Sequence, residues 1–306
     1  MTLGGDGTVN EAVNGLLGGA HGGFGASREA GMAHDVGTDS DAGTVGDYGS
    51  ADGAGDNERA TGLADIGHST EPGPPPAAED LPALAALPGG NANVFTRSLG
   101  LPADPVDAAG RLIDDLANGR ERRIGLGTAN GRYFTFNAGL GLDAEVVRAV
   151  EGRRATGRSL TPTLFARTAL RQYYQVTNRR HAAISLTEPP DLGPDPVFVC
   201  LISNSAPWTY LGRRPVTTNP GASFDTGLDL LALRRLGTVA TVRTLRQMLA
   251  NRNEPLEGRS VLSAHDLTAI ELRAEHPLAF QLDGEYMGEA ERVSFRSVPK
   301  ALRVIS

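Results

Sequence analysis

The chain of 306 residues is long enough for one or two domains with a substantial core. Its single cysteine, Cys200, excludes an internal disulfide framework and suits a reducing cytosol, and no apolar run reaches membrane-spanning length or reads as a secretory signal. The formal net charge of −7 is unevenly placed: residues 20–80 carry twelve acids against Arg28 and Arg59, so the remainder is mildly basic, and with Lys300 the only lysine a catalytic lysine is not expected.

In chain order, Gly4-Gly5-Asp6-Gly7-Thr8 reads as a turn between a strand and a helix, although only three residues precede it, too few for a buried strand. Behind the turn, Val9, Val13, Leu16 and Leu17 recur at helical spacing. Residues 19–80 are rich in Gly, Ala, Asp and Ser and end in EPGPPPAAED. They offer too little apolar surface to offset ordering entropy and read as a disordered insertion. LPALAALPGG then reads as a buried strand entering a second glycine loop. A short helix ended by Gly100 and Pro102 follows, and a longer one in DPVDAAGRLIDDLANG. Strand, glycine loop and helix thus occur twice, the grammar of a parallel α/β sheet.

From about Glu121 the texture changes. RRIGLGTANGRYFTFNAG reads as two strands around a turn at Ala129-Asn130-Gly131. HAAISLT, PVFVCLISN, LDLLALRR, LTAIELRA, LAFQLDG and RVSFRS are further strands, and helices fall near Asp143–Glu151 and Thr238–Leu249. The expected fold class is α/β plus mainly-β. An incomplete parallel-sheet nucleotide domain over residues 1–120, carrying the insertion, precedes a β-rich domain over 121–306.

A glycine loop between strand and helix lets backbone N–H groups approach phosphate oxygens, and the helix N-terminus adds partial positive charge. Asp6 in such a loop either holds Mg²⁺ or organises the loop through backbone bonds; taken alone, Gly-Gly-Asp-Gly also reads as a plain tight turn.

LGGDGTVNEAVNGL followed by LPGGNANVFTRSLGLP at 87–102 resembles the diacylglycerol kinase family of lipid kinases, which includes bacterial soluble enzymes and sphingosine kinases. The likeness continues in order through YFTFNAGLGLDAEVV at 133–147, ISNSAPWTYLGRRPVTTNPGASFDTGLDLLAL at 202–233 and LDGE at 282–285. The first loop is shared with NAD kinases and phosphofructokinases; the ordered set of five blocks is more specific. The resemblance implies a cleft for ATP and lipid, and Mg²⁺-assisted transfer of the γ-phosphate to a lipid hydroxyl, diacylglycerol giving phosphatidic acid. It implies that Gly4, Gly5, Asp6, Gly7 and Thr8 line the nucleotide phosphates, with Gly89, Gly90, Asn91 and Asn93 completing the site. It places Asp225 at an acidic position linked to Mg²⁺, gives Asp6 a catalytic part and makes Glu285 the general base. Phosphoryl transfer depends on positioning and charge neutralisation more than covalent help, and Glu285 in a strand-end turn suits the base role.

Three departures stand out. Val94 follows Asn93 where the family usually has Asp, and Gly125 stands where many relatives carry Asp. The family's opening strand and helix with an Asn-Pro-x-x-Gly loop have no counterpart. The resemblance therefore implies a chain lacking its first βα units, with Met1 a misassigned start or the start of a degraded gene. Such a chain is expected to expose apolar sheet surface and to bind ATP weakly.

Residues 152–187 hold seven arginines and no acid, interspersed with Leu164, Phe165, Tyr173 and Tyr174. They read either as an interfacial helix on anionic lipid or as a solvated basic face packed on the β domain. Nucleic acid is not expected, for want of a recognition motif. His21, His34 and His68 lack metal-site spacing, and His181, His265 and His276 are singletons. The expectation is a cytoplasmic, membrane-peripheral lipid kinase; the alternatives are a soluble-metabolite kinase of the NAD kinase type and a non-catalytic remnant.

Overall fold

The first three-residue strand does form. In the computed structural model, which describes residues 1–18, 81–154, 181–193, 195–250 and 254–306, Thr2–Gly4 is strand β1 and pairs in parallel with β2, Ala86–Pro88. Helix α1, Asp6–Leu17, leaves β1 and buries Val9, Val13 and Leu17 along one face; Gly18 ends it with φ 67°, its N–H reaching Asn14 O. The insertion expected at 19–80 and residues 155–180 of the basic segment lie outside the described residues.

After β2 come a short helix α2, Val94–Ser98, and a longer α3, Pro105–Ala117. Asp104 caps α3 by accepting from Val106 and Asp107 N–H, and Pro105 occupies the first helical position, where a missing N–H costs nothing. The parallel sheet of the nucleotide portion is thus visible only as two strands, each with a helix behind it.

The rest is a nine-stranded antiparallel sheet. Its strands are β3 Glu121–Ala129, β4 Arg132–Phe134, β5 Asn137–Gly141, β6 Ile184–Glu188, β7 Val199–Ser203, β10 Leu228–Leu233, β11 Val261–Leu267, β12 Ala269–Leu282 and β13 Glu285–Ile305. The order runs β11-β10-β7-β5-β12-β13-β3-β4, with β6 beside β12. A separate hairpin joins β8, Thr209–Leu211, to β9, Arg214–Val216. Helix α4, Leu142–Arg154, follows β5, and α5, Thr238–Ala250, lies between β10 and β11.

Two segments read as separate strands, LTAIELRA and LAFQLDG, belong to the single strand β12. A register shift between Arg273 and Leu278 lets its first part pair with β6 and its last part with β5. The turn at Asn130-Gly131 forms where expected, with φ 47° and 83°, the pair of positive values a two-residue hairpin requires.

Aromatic edges lock the sheet core: Phe134 and Phe280 each stand edge-on to Phe295 at 6.2 Å. A second core joins Val9, Val13 and Phe95 to Ile124, Leu126, Leu302 and Val304, so apolar packing continues across residue 120. Leu84 N–H bonds to Arg303 O at 2.8 Å and Ile305 N–H to Leu84 O at 3.0 Å, tying the end of β13 to the approach to β2. No helix among the described residues is long and apolar enough to cross a membrane.

Candidate active site

Because β1 and β2 run parallel, both glycine loops emerge at the same, C-terminal edge, where open α/β sheets hold their ligands. The loops touch backbone to backbone. Gly89 N–H donates to Gly4 O at 2.9 Å; a β-carbon on Gly89 would stand 2.9 Å from Gly4 Cα, and one on Gly90 2.7 Å from Gly5 Cα. Any side chain at either position would force the loops apart, so the glycines are needed for close approach. Gly5 caps α1 without a side-chain hydrogen bond, and a helix N-terminus of this kind favours an anion. Thr8, Gly89, Gly90 and Asn91 are exposed around this edge.

Asp6 organises this arrangement. Its two carboxylate oxygens accept from Val94 N–H at 3.1 Å and Phe95 N–H at 3.0 Å, so the first loop caps the helix that follows the second. Burial pushes its pKa up to about 6; the bonds from Phe95 and Val94 pull the other way, and the charge of Asp283 adds to the rise. Of the two roles open to Asp6 from sequence, backbone organisation is the one its contacts serve. Asn93, with φ 50°, closes the second loop: its Oδ1 accepts from Gly90 N–H at 2.7 Å and its Nδ2 donates to Gly90 O at 2.8 Å.

Glu285 reaches the first loop from the other end of the chain. Its carboxylate lies so close to Gly7 that a side chain there would collide with it. The cause is the hairpin at Asp283-Gly284, with φ 49° and 78°, which pairs Leu282 with Glu285 across β12 and β13.

Asp283 anchors that hairpin and was not singled out from sequence. Fully buried, its Oδ2 accepts from Asn10 Nδ2 and Thr135 N–H, both at 2.7 Å, and from Thr135 Oγ1 at 2.9 Å. Its Oδ1 accepts from Phe136 N–H at 2.9 Å and Asn137 N–H at 3.2 Å. Burial raises its pKa, opposed by these bonds. Asn10 and Asn14 were likewise missed. Asn14 Nδ2 donates to Tyr133 O at 3.0 Å while its Oδ1 accepts from Tyr133 N–H at 2.9 Å, so the side-chain amide pairs the edge strand β4 as another strand would. The available signal was two asparagines four apart, in step with Val9 and Val13 on the buried face of α1.

Asp225 sits elsewhere in character: exposed, in a turn where its N–H donates to Ser223 Oγ at 3.1 Å. Its neighbour Phe224 is tied in, edge-on to Phe95 at 5.9 Å and accepting at its carbonyl from Gly125 N–H at 2.7 Å. A β-carbon on Gly125 would stand 2.8 Å from that carbonyl, so glycine is what lets the two backbones meet here. Among the described residues no three His, Cys, Asp or Glu side chains gather as a cation site.

The chain matches the family model of the diacylglycerol kinase catalytic domain over residues 57–129, which includes the second glycine loop. It is 27% identical over 212 residues to the "Probable lipid kinase YegS-like" protein of Chromohalobacter salexigens, covering 68% of this chain and 62% of that one. It is 24% identical over 215 residues to a diacylglycerol kinase of Bacillus subtilis, covering 69% and 65%. The chain thus spans under two thirds of the length of these curated relatives. Two solved structures from Bacillus anthracis, each described as a diacylglycerol kinase, share the fold, with TM-scores of 0.54 and 0.52 at 18% and 19% identity, each over 74% of this chain and 69% of theirs. Family match, curated relatives and shared fold point the same way: the chain is similar to the diacylglycerol kinase-type lipid kinases.

Proposed function

We propose that the chain is an ATP-dependent lipid kinase acting on a lipid hydroxyl, with diacylglycerol the favoured acceptor and phosphatidic acid its product. The observation that carries this is the placement of the Glu285 carboxylate against Gly7, in the first turn of α1. A base and an anion-binding helix end meet there, as transfer of a phosphoryl group to a hydroxyl demands.

The residues fit a nucleotide triphosphate. Bare backbone at Gly4, Gly5, Gly89 and Gly90 accepts phosphate oxygens without steric obstruction. ATP, when bound, supplies the transferable γ-phosphoryl group. Glu285 accepts the acceptor hydroxyl's proton at a carboxylate oxygen, while Asp6 and Asn93 hold the two loops in register.

For Mg²⁺ the fit is thinner. Each Asp6 oxygen already accepts one N–H from α2, and the exposed Asp225 offers a second carboxylate to hold the ion together with phosphate oxygens, the mixed coordination Mg²⁺ commonly takes.

The test is incubation with labelled ATP, Mg²⁺ and mixed lipid vesicles, followed by identification of the labelled product. Labelled phosphatidic acid is expected, and Glu285→Gln should lower the rate roughly 10²–10⁴-fold with ATP affinity little changed. A labelled soluble metabolite in place of a lipid would favour the NAD kinase-type reading. Full activity in Glu285→Gln would remove the base assignment.

A further inference from the structure

Helix α5 is built inside out. Its buried face is thin, consisting of Thr244 and Met248, while Val239, Val242 and Leu245 are 85%, 51% and 49% exposed. These three recur at i, i+3 and i+6 and form one apolar stripe along the outer surface. Arg243 and Arg246 lie beside the stripe on exposed positions, and exposed Arg235 precedes the helix. From residue 230 to 253 the sequence contains arginines and no acid. Asp229 on one side is buried against His265 at 2.8 Å; on the other, Glu254 and Glu257 follow the helix, and Glu257 is tied by its backbone to Gln247, a position off the apolar stripe.

An outward apolar stripe flanked by cations and free of acids is mismatched to water and matched to one chemistry, the headgroup boundary of an anionic bilayer. We propose that α5 docks the protein on an anionic lipid surface, with Val239, Val242 and Leu245 entering the interface and Arg235, Arg243 and Arg246 meeting the headgroup charge. The inference rests on the reading of the acceptor as a lipid and adds where the protein meets the membrane.

The helix is coupled to the nucleotide loops. Thr217 N–H bonds to Met248 O at 3.2 Å just past β9, and the same hairpin is held by Arg97 of α2, whose guanidinium stacks 3.2 Å from the Tyr210 ring centre and donates to Gly212 O at 3.2 Å. Docking α5 therefore fixes the hairpin that borders α2 and the second glycine loop.

The test is sedimentation of the full chain with vesicles of phosphatidylglycerol and phosphatidylcholine, against phosphatidylcholine alone. Binding to the anionic vesicles that weakens with salt is expected. Combined Val239→Ser, Val242→Ser and Leu245→Ser should weaken it about tenfold or more. Combined Arg235→Gln, Arg243→Gln and Arg246→Gln should weaken it about 10²-fold, at roughly fivefold per arginine. All six positions are exposed, so both variants should keep the parent's melting temperature. A fluorophore on Val242→Cys, with Cys200 buried and unreactive, should shift to the blue on anionic vesicles and be quenched by spin-labelled lipid.

The proposal is overturned if the parent ignores anionic vesicles, if the label stays in water, or if either variant binds as the parent does. It is equally overturned if the serine variant instead converts a dimer to a monomer, because the stripe would then be a self-association face. Variant-sensitive vesicle binding without lipid phosphorylation would uphold the docking surface and remove the kinase reading. Lipid phosphorylation with binding indifferent to both variants would do the reverse.

Discussion

Gly7 and Gly15 occupy the same helix and should respond to alanine in opposite ways. At Gly7 the added methyl collides with the Glu285 carboxylate; at Gly15 it meets nothing within 4 Å. Gly7→Ala is expected to lower phosphotransfer at least about 10²-fold, by displacing the base from the helix end. Gly15→Ala should raise stability by about 0.5–1 kcal/mol through helix propensity, measured by urea unfolding.

Asp143 gives a residue-scale prediction of pH dependence. It is buried at the start of α4, accepts from Gln281 Nε2 at 2.8 Å, and is pushed by burial from 3.8 up to about 6, with the Gln281 bond opposing. A carboxyl raised in the folded state contributes stability fully present below pH 3.8 and lost as pH rises through 6. Asp143→Asn keeps the acceptor and removes the charge. The variant should match the parent near pH 4 and exceed it by about 3 kcal/mol at pH 8, read from denaturant midpoints at both pH values. An identical difference at both pH values would show that Asp143 does not titrate as described.

At the scale of elements, the docking of α1 on the β sheet adds a polar contact to its apolar core packing. Asn14 satisfies both backbone groups of Tyr133, and Asn10 donates to Tyr133 O and to Asp283. Each bond carries position as well as energy, because it sets α1, and so Gly7, against the hairpin of Glu285. Asn14→Leu strands a buried N–H and C=O and should cost about 2–4 kcal/mol. Asn10→Ala removes one support of Asp283 and should lower kcat more than it raises KM for ATP. An unchanged kcat would mean that Asn10 has no part in placing the base.

For the whole molecule, the glycine loops and the end of the chain share one core. Val304 is fully buried and bridges Leu84, and it packs in the cluster containing Val9, Val13 and Phe95. Val304→Ala should cost about 1.5–3 kcal/mol. Trp208 fluorescence and far-UV circular dichroism should shift together in urea, as a single cooperative unit requires. Separate transitions would show that the two cores unfold independently.

Much of this was written locally. Gly-Gly-Asp-Gly and Leu-Pro-Gly-Gly are legible because only glycine permits backbone to approach backbone. Asn130-Gly131 is legible because positive φ at two adjacent residues selects those side chains. The strand–loop–helix grammar and the β-rich second half follow from hydrophobic periodicity, which is also local.

What the sequence left undecided depends on contacts between distant residues. Glu285 and Gly7 stand 278 positions apart in the numbering, and no local pattern encodes their meeting. Asp6 reads as a metal ligand or a loop organiser, and only the folded chain shows that its oxygens accept the N–H groups of Val94 and Phe95. Asp283, Asn10 and Asn14 look like ordinary turn and helix residues. Burial and five inward bonds to the Asp283 carboxylate, which only the folded chain brings together, make them the frame of the site.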